Sequence, residues 1–161
     1  MIDPLAALRV LVAHDVRFVL IGGQAARALG SSSLTNDVDV CYDRAPGNLD
    51  RLAAALTEMH ARLRGVAEDV PFVLDARTLR NGDSFTFETD HGALDVLATP
   101  SGTSGYPDLV AGAEPMDFGG LTVHVVALDD LIRMKRAAAR PKDRIEVEVL
   151  IALRDDITER S

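Results

Sequence analysis

Apolar and polar positions along the chain change period several times, and each change marks an element. Asp3-Pro4 starts a helix, since Asp caps the first turn and Pro suits the first helical position. Leu5, Leu8, Leu11 and Val12 then recur at helical spacing, which predicts a helix over 4–14. The short apolar run Arg17-Phe18-Val19-Leu20-Ile21 predicts a buried strand, closed by the turn Gly22-Gly23. Gln24 to Leu29 reads as a short helix stopped by Gly30, and Ser31-Ser32-Ser33 as loop. Asp37 to Tyr42 alternates acid with apolar, as a half-buried strand does.

Further on, Leu49, Leu52, Leu56, Met59 and Leu63 form one stripe of an amphipathic helix over about 49–63. Phe72-Val73-Leu74 reads as a short strand. Ser84–Thr89 and Ala93–Thr99 alternate around Asp90-His91-Gly92, which predicts a hairpin. Residues 100–120 are rich in Gly, Pro and Ser and read as one long loop, a length usually reserved for function or disorder. Leu121–Val126 is a strand, Asp129–Ala139 a helix, and Arg140-Pro141 separates it from a last helix over about 141–155. The order predicts one α+β domain over 1–161, a small mixed sheet with helices packed on it. Its core spans about 16–126 and its C-terminal helices about 127–158.

Composition narrows the chemistry. A single Cys excludes a disulfide scaffold and a Cys-based zinc site. No apolar run reaches the ~18 residues of a membrane helix, and Met1-Ile2-Asp3-Pro4 lacks a basic leader, so the expected compartment is the cytoplasm. A net charge of −8 disfavours a protein that grips a polyanion unaided. It suits a metal-dependent enzyme with clustered carboxylates. His14, His60, His91 and His124 lack metal-ligand spacing and read as structural or surface residues.

Four features could carry chemistry. In Asp37-Val38-Asp39 the carboxylates share one strand face about 7 Å apart, where a divalent cation would relieve their repulsion. With 18 Asp in the chain, about two such pairs arise by chance, so the pair alone is weak. Cys41 shares their parity. Asp95 interrupts the apolar run 93–97, either on a solvated edge or as a third carboxylate for a two-metal cage. Ile21-Gly22-Gly23-Gln24 joins a strand to a helix start through glycines, as a close approach to phosphate requires, or forms an ordinary tight turn. It is neither a dinucleotide fingerprint nor a P-loop. Six of the 17 basic residues (Arg133, Lys135, Arg136, Arg140, Lys142 and Arg144) fall within 12 positions. They suit a triphosphate or RNA backbone, or form a solvated helix face.

In this order and spacing the features resemble the nucleotidyltransferase superfamily with a polymerase-beta-like palm. The stretch from Lys135 to Asp143 is most similar to the AbiEii/MenT-type toxin nucleotidyltransferases. The resemblance covers about Phe18 to Leu150. It implies that Asp37 and Asp39 bind Mg²⁺, two ions with Mn²⁺ as a substitute, and that Asp95 completes the cage and helps deprotonate the attacking hydroxyl. It implies that Gly22, Gly23 and Gln24 hold an NTP's phosphates, that Lys135 neutralises them, and that Asp143 orients Lys135 or an Arg. Where many relatives carry Arg this chain has Ser33, which either weakens triphosphate binding or leaves Arg27 to substitute from the short helix. Thr35 is either a phosphorylation site for a kinase-like antitoxin or a loop cap. The function implied is transfer of NMP to a tRNA 3′ end or a protein hydroxyl, as the toxin of a toxin–antitoxin pair with a cognate antitoxin. The alternatives are a small-molecule acceptor of the aminoglycoside type, a non-catalytic nucleotide- or partner-binding module, or an antitoxin.

Overall fold

A computed structural model describes residues 2–32, 34–66 and 71–160. Ser33, the position of the missing Arg, lies outside them. The elements run α1 (Pro4–Ala13), β1 (Phe18–Ile21), α2 (Gly22–Ala28), β2 (Val38–Tyr42), α3 (Pro46–Glu58), β3 (Arg62–Leu63), α4 (Ala76–Asn81), β4 (Ser84–Thr89), β5 (Gly92–Leu97), α5 (Tyr106–Gly112), β6 (Glu114–Phe118), β7 (Leu121–Val125), α6 (Leu128–Ala138) and α7 (Pro141–Arg160). The seven strands form one mixed sheet in the order β3-β4-β5-β2-β1-β7-β6. β2 lies parallel to β5 and antiparallel to β1, and β1 lies parallel to β7. The expected α+β class and mixed sheet are therefore present.

Alternation along the central strands fixes the register. Val38 and Val40 of β2 pair with Leu94 and Val96 of β5, and all four are buried. The intervening residues, Asp39 and Asp95, pair with each other on the opposite face. The core gathers Leu8 and Leu11 of α1, Leu49, Leu52 and Leu56 of α3, and Leu131 and Ile132 of α6 around this sheet. Asn48 is the buried polar joint between α3 and β1. Its Oδ1 accepts from the Arg17 N–H at 2.7 Å, and its Nδ2 donates to the carbonyls of Arg17 and Asp43 at 3.1 and 2.7 Å.

Several sequence expectations need correction. The stretch 100–120 is not one loop, because it holds α5 and β6. α5 has only seven residues, too few to show a period. β6 is an edge strand, so it tolerates Pro115 and carries few buried positions. Phe72-Val73-Leu74 is not a strand. Phe72 is held by ring packing instead, 6.5 Å from Phe85 and 6.2 Å from Phe87 between centroids. α3 begins earlier and ends sooner than 49–63, since His60 takes a left-handed φ of 52° and the chain returns as β3. α7 continues to Arg160.

Candidate active site

Asp37, Asp39 and Asp95 reach one cleft of about 330 Å³ at the end of β1, β2 and β5. It is lined by Gly22, Gly23, Asp37, Asp39 and Asp95, and by Lys135, Arg140, Lys142 and Glu146 from α6, α7 and the turn between them. A smaller recess of about 250 Å³ adjoins it and shares Gly22, Asp39, Asp95, Lys135 and Arg140. Leu97, Pro100, Leu131 and Met134 line its other side.

The glycines are there for space. Gly22 takes a φ of +69°, and a Cβ on it would stand 2.1 Å from Asp39 Oδ2. A Cβ on Gly23 would stand 2.5 Å from Thr35 Cγ2. Only a bare backbone lets the start of α2 press against the acid strand and the 34–37 loop. Gln24 Nε2 donates to the Thr35 carbonyl at 3.0 Å, and Thr35 Oγ1 accepts from the Asp37 N–H at 3.2 Å. Gln24 thus orders the loop and does not line the cleft, whereas Thr35 does both.

Asp39 is the strained charge. Burial first, then Asp95 and Asp37, push its pKa from 3.8 up to about 7, and Lys135 offsets this only in part. Asp95 has a partner of its own: Arg64 Nη2 donates to its Oδ1 at 2.8 Å. Among the described residues no three His, Cys, Asp or Glu side chains already stand as a metal cage. The donor set nonetheless fits a hard divalent cation, because crowded carboxylate oxygens carry uncompensated negative charge beside open cleft volume.

The basic wall depends on α7. Asp143 is 0% exposed. It accepts from Arg140 Nε at 2.7 Å and from the Arg140 backbone N–H at 3.1 Å, and its Oδ1 lies 3.6 Å from Lys135 Nζ. These bonds hold the Asp143 carboxyl below its usual range, Arg140 contributing most. Glu146 takes Lys135 Nζ at 2.6 Å. Asp143 therefore does not line the cleft; it positions the two cations that do.

The site differs from the sequence expectation in four respects. Arg27 is exposed on α2 and does not line the cleft, so it does not replace the missing Arg. The basic run 133–144 is not one surface. Arg133 is tied to Asp108 at 2.9 Å and Asp130 at 3.0 Å, joining α5 to α6, and Arg136 and Arg144 lie outside the cleft. Cys41 does not reach the cleft; it is buried, donates to the Ala98 carbonyl at 3.6 Å, and has its thiol pushed up to about 12 by burial. Gln24, expected at the phosphates, bonds the Thr35 carbonyl and does not line the cleft. One cleft residue, Glu146, and one partner of the cleft, Arg64, were missed. Glu146 follows Asp143 by one helical turn, a readable signal. Arg64 gave none, because only the β3–β4–β5 pairing brings it near Asp95.

No helix among the described residues is long and apolar enough to cross a membrane. No protein-family model matches the sequence, and no curated protein matches it by sequence. Solved structures do match its fold. The lincosamide antibiotic adenylyltransferase LnuA, bound to lincomycin, superposes with a TM-score of 0.61 at 11% identity, over 92% of this chain and 94% of that one. The antibiotic-resistance factor ANT(2″)-Ia in solution gives 0.54 at 14% identity, over 97% and 91%. A crystal structure of ANT(2″)-Ia with adenylyl-2″-tobramycin gives 0.52 at 16% identity, over 97% of each chain. The chain thus has the fold of the antibiotic nucleotidyltransferases, with its three aspartates and its Gly-Gly turn gathered in one cleft.

Proposed function

We propose that the protein is a nucleotidyltransferase that moves NMP from an NTP to a hydroxyl of a small molecule. The observation that carries this reading is the Asp39–Asp95 pair beneath Gly22, facing Lys135, Arg140 and Lys142 across one cleft. Carboxylates and cations lining the same cleft suit a metal–triphosphate complex better than either charge alone.

In this reading Asp37 and Asp39 hold Mg²⁺, one ion or two, and Mn²⁺ substitutes for it; Asp95 adds a further carboxylate. When bound, the cation supplies positive charge to the phosphate oxygens and the leaving group. Gly22 and Gly23 allow the triphosphate close to the backbone, and Lys135, Arg140 and Lys142 take its charge. The acceptor oxygen forms a bond to the α-phosphorus. The bond to the bridging oxygen breaks, pyrophosphate leaves, and the hydroxyl proton passes to the Asp95 carboxylate. Positioning carries most of the rate.

The likeness to LnuA and ANT(2″)-Ia favours a small-molecule acceptor over a macromolecule. The toxin reading, with a tRNA or protein acceptor and a cognate antitoxin, rested on the resemblance of the Lys135–Asp143 stretch; the one basic surface it could offer RNA, 133–144, is divided among three surroundings. Regulation by phosphorylation at Thr35 belongs to the same reading. A phosphate there would add about −1.5 to −2 charge beside Asp37.

The test is label transfer from each α-labelled NTP with Mg²⁺. Tobramycin, lincomycin, total tRNA and an RNA-free lysate serve as acceptors, and Asp39→Ala as control. Label on a small molecule, absent with Asp39→Ala, is the expected result. Label on RNA or protein would restore the toxin reading, and no label with any acceptor would remove the transferase reading.

A further inference from the structure

Arg64 stands where neither the sequence nor the fold class assigns it a task. It follows β3 at the sheet edge, and its N–H donates to the Thr86 carbonyl at 2.9 Å. Thr86 of β4 pairs with Asp95 of β5, so the guanidinium must cross β4 to reach Asp95. There Nη2 donates to Asp95 Oδ1 at 2.8 Å and to the Phe87 carbonyl at 3.3 Å, while Nε lies 3.5 Å from Glu88 Oε2. One strand carbonyl and two carboxylates fix a planar donor group that a lysine could not match bond for bond. Asp39, by contrast, has no ion pair within 4.0 Å among the described residues.

We propose that Arg64 is a positioning residue that divides the labour of the three carboxylates. It supplies Asp95 with a resident cation, so the divalent ion is carried by Asp37 and Asp39. Asp95 is then held in one rotamer at the join of the two cavities, which it lines together with Asp39. From there it receives the acceptor's proton. Arg64 also offsets part of the charge that would draw the divalent ion, so it weakens the site's affinity for that ion and lets the product complex come apart. This inference rests on the transferase reading above.

The experiment is Mn²⁺ titration of the full chain, followed by electron paramagnetic resonance and calorimetry. Wild type, Asp39→Asn, Arg64→Gln, Arg64→Lys and Glu88→Gln are compared. Removing one unit charge near a partly solvated ion predicts roughly tenfold tighter Mn²⁺ binding in Arg64→Gln. Arg64→Lys, which keeps the charge, and Glu88→Gln, which loosens only the edge contact, should stay near wild type. In steady state, Arg64→Gln should lose kcat with the NTP KM unchanged. A folded Arg64→Gln protein with wild-type or weaker Mn²⁺ affinity overturns the inference, because a purely structural role gives no gain. If wild type binds no Mn²⁺, or Asp39→Asn binds it equally well, the transferase reading itself fails and this inference falls with it.

Discussion

Asn at position 39 should make the metal-free protein more stable while it destroys the cation site. In the folded chain the Asp39 carboxyl titrates at about 7 against 3.8 in the open chain. A group whose folded pKa is raised favours folding fully below the unfolded value, and that contribution is lost as pH rises through the folded one. About three units at 1.36 kcal/mol each set a ceiling of roughly 4 kcal/mol at pH 8. Asp95 and Asp37 share the crowding and water reaches the cleft, so about 2–4 kcal/mol is the expected range. Asn keeps the shape and removes the charge. For a domain of this size that amounts to roughly 4–16 °C in Tm at pH 8, falling towards zero near pH 4. The assay is thermal unfolding in chelator at pH 4, 6 and 8, repeated with Mg²⁺. Wild type should gain Tm from Mg²⁺ at pH 8 and Asp39→Asn should not. An Asp39→Asn protein that melts at or below wild type at pH 8 in chelator would mean that the Asp39 carboxylate carries no such penalty. So would a difference that does not change with pH.

Two further outcomes follow from the same geometry. Gly22→Ala should cost about 1–2 kcal/mol for the left-handed backbone alone. Its Cβ must also displace the Asp39 carboxylate, so Mn²⁺ affinity and label transfer should fall together by at least about tenfold. Asp143→Ala should lower stability by about 2–3 kcal/mol, since charged hydrogen bonds to Arg140 are lost. It should also raise the KM for NTP, as Lys135 is left to Glu146. Because the Asp143 pKa is lowered, its contribution is present above 3.8 and lost only as acid titrates the carboxyl. Urea unfolding at pH 7 and below pH 4 measures it, and the mutant's deficit should vanish at the acid end.

Much of the site was legible because alternation is legible. Asp37-Val38-Asp39 and Leu94-Asp95-Val96 each announce a face, and the parallel pairing of β2 with β5 brings the two faces into register. Gly22 and Gly23 were readable as a close approach, although what they approach is Asp39 and Thr35. The partners of those residues were hidden. Arg64 and Asp95 are 31 positions apart, and nothing local to either predicts their bond. The role of Asp143 was half visible, because its spacing to Arg140 fits a helix start but its full burial does not show in sequence. The 100–120 segment misled for a different reason. Short helices and edge strands bury too little to leave a period, and Pro and Gly dominate what remains.

The facing of Asp39 and Asp95 ties the chemistry to the oil beneath it. Val38, Val40, Leu94 and Val96 cannot slide by one residue without driving carboxylates into the core and valines into the cleft. The separation of the two acids is therefore proofread by every folding event, since a chain that pairs them wrongly does not become a stable molecule at all. The four apolar residues guard the spacing of two acids whose side chains point away from them.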